Sequence, residues 1–227
     1  MNYRGMFEIS YFRRFFMKVL VVGANGRVGS LLVDKLVKNG HFVYAGTRRD
    51  NSTTNSSNVR YVHIDLLASP NVIAEKMYDA EAIFFVAGSR GKDLLKIDLN
   101  GAVKVMRAAE NKKIKRFIML SSVFSLDQDK WNESFLKDIT DYNIAKHFAD
   151  QWLINNTNLA YTILQPGVLK ETPGSGEIDV NIDFPAENSI ENVVDTLVQS
   201  LQEPDTVGKV ITMSDGRTPI PDALRNL

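Results

Sequence analysis

Residues 18–40 read KVLVVGANGRVGSLLVDKLVKNG, and the fold follows from this stretch. Lys18 to Val22 is a short β-branched run of the kind that forms a strand buried on both faces. Gly23, Gly26 and Gly29 follow at three-residue spacing. From Arg27 to Asn39 the apolar residues Val28, Leu31, Leu32, Leu36 and Val37 recur with helical periodicity. Asn39-Gly40 ends that helix. Glycines between a strand and a helix permit a tight turn, close approach of a pyrophosphate, and close packing of helix on sheet. The helix N-terminus adds unpaired N–H groups and a partial positive charge. Gly23, Asn25, Gly26, Arg27, Val28 and Gly29 are therefore candidate contacts for a dinucleotide.

The next strand, Phe42 to Ala45, selects between dinucleotides. An acid at its end would hold a ribose 2′-hydroxyl, as NAD(H) requires. This sequence instead continues Gly46-Thr47-Arg48-Arg49, with no acid before Asp50. A guanidinium bonds a 2′-phosphate through two charge-assisted hydrogen bonds. Arg48 and Arg49 thus point to NADP(H), with NAD(H) left open.

The alternation continues to the C-terminus. Strands are expected at 59–64, 82–86, 116–120, 160–164 and 210–213. Helices are expected from Ser69-Pro70, where serine caps and proline opens, and at 94–110, 138–155 and 189–201. The inner stripe of the helix at 138–155 is read as Ile139, Tyr142, Ala145, Phe148, Ala149, Trp152 and Leu153. Alternating units imply an α/β fold: a doubly wound, Rossmann-like parallel sheet of order 3-2-1-4-5-6 with helices on both faces. The last strand would add a seventh at the edge.

Composition narrows the partner. Lys+Arg and Asp+Glu both number 27 in 227 residues, so the chain has no net field to draw nucleic acid or an anionic membrane. There is no cysteine, which removes disulfide and thiolate chemistry and fits a cytoplasmic setting. No apolar run reaches the ~18 residues of a membrane span. His41, His63 and His147 are far apart and show no metal-ligand spacing. A small-molecule substrate is expected, with the oligomeric state open. Residues 1–16 crowd aromatics with arginines and look foreign to the rest. They read as an extension from an upstream start, before a single domain at 17–227.

Tyr142 and Lys146 stand four apart on a helix and share a face. With the glycine motif, Thr47-Arg48, Asp65, Ser121-Ser122, Tyr142-Asn-Ile-Ala-Lys146 and Gln165-Pro166-Gly167 in this order, the chain resembles the short-chain dehydrogenases/reductases. The GxxGxxG spacing is similar to their atypical branch, which holds NAD(P)H-flavin and biliverdin reductase-like proteins and nitrogen-regulator-like sensors. The resemblance implies that Tyr142 is the general acid/base. It implies that Lys146 assists Tyr142 and binds the nicotinamide ribose, and that Ser122 orients a carbonyl, with Ser121 the alternative. It also implies cofactor contacts at Asp65, Leu66, Ala87, Gly88, Ser89, Ser121, Pro166 and Gly167. The expected activity is hydride transfer from NADP(H) to a small or flat flavin, quinone or carbonyl compound. A non-catalytic redox sensor is the alternative. An epimerase is disfavoured, because only a short segment follows Pro166.

Overall fold

The computed structural model describes residues 16–48 and 56–227. Arg49 and nearly all of the proposed N-terminal extension lie outside these. The elements run β1 (Lys18–Val22), α1 (Arg27–Lys38), β2 (Phe42–Thr47), β3 (Val59–His63), α2 (Pro70–Glu75) and β4 (Ala82–Phe85). A π-helical turn (Leu94–Leu99) then leads into α3 (Asn100–Asn111), β5 (Arg116–Leu120), α4 (Thr140–Asn156) and β6 (Ala160–Pro166). The C-terminal part holds β7 (Val168–Lys170), β8 (Glu177–Val180), β9 (Glu187–Ser189), α5 (Ile190–Gln202), β10 (Lys209–Asp215), β11 (Thr218–Pro219) and α6 (Ile220–Arg225).

Nine strands form one sheet in the order β11-β8-β10-β6-β5-β4-β1-β2-β3. The expected order 3-2-1-4-5-6 is present, with every pair in that run parallel. β10 extends it in parallel beside β6 but is not the edge. The loop after β6 returns as β8, which pairs antiparallel with β10 and β11 and covers it. These short polar strands carry little hydrophobic alternation, so their pairing is set by neighbours rather than by their own pattern. β7 and β9 form a separate parallel pair.

Alternate residues of each strand feed two cores. Val19 and Val21 pack with Leu32 and Leu36 of α1 and Val193 and Leu197 of α5. Leu20 and Val22 pack on the other side with Ile73 of α2, Met106 of α3 and Leu153 of α4. Strand β1 is thereby almost wholly excluded from water, as its apolar run requires. Ser69 caps α2 by accepting from the Val72 amide, and Pro70 opens it.

The inner stripe of α4 differs from expectation. Ala145, Ala149 and Leu153 are buried, but Phe148 is 55% and Trp152 38% exposed. The inward face is instead shared with polar Asn143, Lys146 and Asp150, all buried. The sequence periodicity mixed two apolar faces of one helix into one.

Arg116 opens β5, half-buried and without an acidic partner among the described residues. It donates to the carbonyls of Ala160 (2.8 Å) and Ser200 (2.6 Å) and to the hydroxyls of Thr162 (2.7 Å) and Thr206 (3.1 Å). Burial lowers its pKa to about 10. Among the described residues, no helix is long and apolar enough to cross a membrane.

Candidate functional site

The chain reverses its direction of growth between β1 and β4, so the crevice at their C-terminal ends is the natural ligand position. Each of the expected site residues that the structure describes follows or ends a strand on this side, or lies on α4 beside it.

The three glycines do separate work. Gly23 adopts φ +98°, and a Cβ there would lie 2.7 Å from the Ala87 backbone. A side chain at Gly29 would lie 2.1 Å from the Gly23 carbonyl oxygen, so helix and turn touch backbone to backbone. A Cβ on Gly26 would meet only that same oxygen, at 3.2 Å, and otherwise open space. Gly26 caps α1 without a side-chain hydrogen bond, leaving the first-turn amides free for an anion. The turn itself is tied by Gly26 N–H to Gly23 O (2.9 Å) and by the Gly23 and Ala24 amides to Gly46 O. Asn25 and Arg27 are exposed, while Val28 and Gly29 are buried. Arg27 faces Glu171 at 3.6 Å across the mouth of the crevice. These features fit a pyrophosphate.

Arg48 is exposed at the end of β2 beside buried Thr47. Asp65 accepts the Leu67 amide (2.9 Å) in a local turn. Leu66 is buried against Gly101, and its carbonyl accepts from Lys104. After β4, Ala87 abuts Gly23, and the Ser89 amide donates to both oxygens of Asp98 (3.0 and 3.3 Å). Asp98 is 1% exposed, and the Ser89 hydroxyl is buried with no partner among the described residues. Pro166 O accepts the Val123 amide, and Gly167 is pressed against the Ala186 carbonyl, where any Cβ would collide at 1.8 Å.

The end of β5 separates the two serines. Ser121 donates its hydroxyl inward to Asp150 (2.7 Å). Ser122 makes no side-chain hydrogen bond among the described residues and remains for a ligand. Lys146 is buried and donates to Leu120 O (2.9 Å), with its ammonium 5.7 Å from the centre of the Tyr142 ring. Tyr142 lines an open surface depression of about 380 Å³ with Gly91, Leu94, Lys137, Asp138 and Asp141.

Sequence reasoning gave no role to Asp98, Ser125, Asp150 or Gln165. Asp150 Oδ2 collects hydrogen bonds from Ser121, Ser125 (2.5 Å) and Gln165 (3.0 Å). Burial pushes its carboxyl up, opposed by the hydroxyls of Ser125 and Ser121, the Lys146 charge and Gln165. A signal existed: Tyr142, Lys146 and Asp150 are spaced by four, so all three share one face of α4.

Comparison with known proteins agrees with this geometry. A family model described as NAD(P)H-binding matches residues 23–204. The uncharacterized sugar epimerase YhfK of Bacillus subtilis is 36% identical over 220 residues, covering 93% of this chain and all of the relative. The crystal structure of the oxidoreductase YlbE from Lactococcus lactis superposes with a TM-score of 0.90 at 44% identity, over 93% of this chain and 96% of that one. A short-chain dehydrogenase/reductase of Veillonella parvula, solved in complex with NADP, shares the fold at a TM-score of 0.68 and 19% identity, over 90% and 97% of the two chains. The chain therefore belongs to the NAD(P)H-binding family, and it shares its fold with a short-chain dehydrogenase/reductase.

Proposed function

We propose that this protein is an NADP(H)-dependent oxidoreductase that reduces a small or flat acceptor: a carbonyl compound, a quinone or a flavin. The observation that carries the reading is the placement of Tyr142. It lines an open surface depression while the Lys146 ammonium stands beside its ring and the phosphate turn opens on the same edge of the sheet. The absence of an acid before Arg48 supports the 2′-phosphate form of the cofactor.

When bound, the dinucleotide supplies a hydride equivalent. The protein's residues do the rest. The α1 amides and Gly26 hold the pyrophosphate, and Arg48 reaches the 2′-phosphate. Ser122 donates to the acceptor oxygen, and Tyr142 delivers the proton that balances the hydride. Lys146, fixed by Leu120 O, orients the nicotinamide ribose and favours proton release from the phenol.

The test is NADPH oxidation followed against aldehydes and ketones, quinones and free flavin. Consumption of one class is the expected result. Tight NADPH binding with no acceptor consumed would overturn the enzyme reading in favour of a redox sensor. The name of the B. subtilis relative motivates one further arm, a nucleotide-sugar panel read by NMR for inversion at a carbinol carbon.

A further inference from the structure

A buried polar hub lies beneath the Tyr142–Lys146 face, and neither cofactor nor acceptor contact explains it. Asp150 is fully buried one turn beyond Lys146. A lone carboxylate in that position would be strongly disfavoured. Here one oxygen gathers Ser121 Oγ, Ser125 Oγ and Gln165 Nε2, and Gln165 also donates to Ser125 Oγ at 2.6 Å. These donors come from the end of β5, the turn after it, and the end of β6. The other oxygen, Oδ1, is buried without a partner among the described residues. On its own helix Asp150 feels the charge of Lys146. His147 Nδ1 meets the Ser125 carbonyl at 2.9 Å, which closes the ring of contacts.

The consequences reach the site through two adjacent residues. Ser121 is held with its hydroxyl turned inward, so its neighbour Ser122 is the serine left for a ligand. Leu120, next to Ser121, provides the carbonyl on which Lys146 rests. The Ser121 amide is further fixed on Leu164 O at 2.7 Å. We propose that Asp150 is the positioning residue of this site, locking the ends of β5 and β6 together so that Leu120 O holds the Lys146 ammonium toward the cofactor. This rests on the reading of Lys146 as a cofactor contact.

The experiment is a double-mutant cycle on NADPH affinity, read by nucleotide fluorescence, which needs no turnover. D150N is expected to weaken NADPH about 5-fold in the parent chain, and less than about 2-fold in the K146M background. In an R48A background its effect should stay at the full 5-fold, because Arg48 is remote from the hub. Ser125→Ala, which removes one donor and touches neither Lys146 nor cofactor, should act in the same direction by about 2-fold and replaces D150N if that variant does not fold. A lowered melting temperature with unchanged affinity would make Asp150 purely structural and overturn the proposal. Equal losses with and without Lys146 would overturn it too. If NADPH binds but no acceptor is reduced, the enzyme reading fails while the cycle still decides the role of Asp150. If K146M leaves affinity unchanged, the premise about Lys146 falls, and the proposal with it.

Discussion

The two ends of the crevice are built from different materials. At β1–α1 the crevice is walled by backbone: glycines, free amides and a helix terminus, with almost no side chain involved. At β5–α4–β6 it is walled by side chains that are themselves held by other buried side chains. The first kind of site tolerates no added atom at Gly23 or Gly29. The second tolerates substitution sterically but depends on every hydrogen bond behind it. A backbone site can serve any chemistry that needs the same phosphate, whereas a side-chain site commits the protein to one.

The contrast can be broken most severely at Tyr142. Tyr142→Phe removes one hydroxyl, and general acid catalysis contributes about 10²–10⁴-fold, so carbonyl reduction should fall by that factor with NADPH affinity unchanged. Stopped-flow or steady-state rates with a carbonyl acceptor check it. With a flavin or quinone acceptor, where water can supply the proton, the same variant should be nearly silent. A fall in melting temperature without a rate effect would move Tyr142 into the core.

At the other end, Gly29→Ala drives a methyl into the Gly23 carbonyl. A loss of about 3 kcal/mol of stability is expected, read by denaturant unfolding, together with loss of nucleotide binding. Retention of both would show that the turn can open, and the distinction between rigid backbone and adaptable side chains would fail. A smaller effect belongs to Arg48→Ala, which should cost NADPH roughly tenfold in affinity and leave NADH unchanged. Equal loss for both nucleotides would remove the 2′-phosphate assignment.

Two buried titratable groups, one behind each half of the sheet, respond to pH in opposite directions. His41, between α1 and β2, is buried with neither ring nitrogen partnered among the described residues, and burial lowers its pKa from 6.5. The unfolded chain therefore binds the proton more readily. Stability from neutral His41 is complete above 6.5 and is lost as pH falls toward the folded value. Asp150 behaves inversely: its carboxyl is raised above 3.8, so its contribution is complete below that value and is lost as pH rises through the folded one. Melting temperatures across mildly acidic pH should show a smaller acid loss in His41→Phe than in the parent, and a smaller alkaline-side loss in D150N. Identical slopes in parent and variants would show that neither group carries the dependence.

What could be read in the sequence follows the same division. The strand at 116–120 and the strand and turn from Lys18 to Gly29 coincide with the structure, because β-branched runs and glycine spacing are local signals. The strand order followed from alternation and handedness. The placement of Phe148 and Trp152 was misjudged because burial on α4 is decided by polar partners from β5 and β6, which no helical period contains. The helix expected at 94–110 begins instead as a π turn, whose inward Asp98 clasps the Ser89 amide. The small strands β7, β8, β9 and β11 left no pattern because each is two to four residues long and defined by its neighbours. Asp150 was passed over for the same reason: its meaning lies in three donors from distant segments.

Arg116 has a bearing on how the chain is made. Its guanidinium is completed by Ser200 and Thr206, residues 84 and 90 positions further on. Until those have left the ribosome, the central strand β5 carries a cation that must either stay hydrated or lack acceptors. Vectorial synthesis therefore delivers the glycine turn early but cannot seal the middle of the sheet until nearly the last segment arrives. A nick between Ser200 and Thr206 would leave the glycine turn whole and still loosen the start of the strand that leads to Ser121 and Ser122.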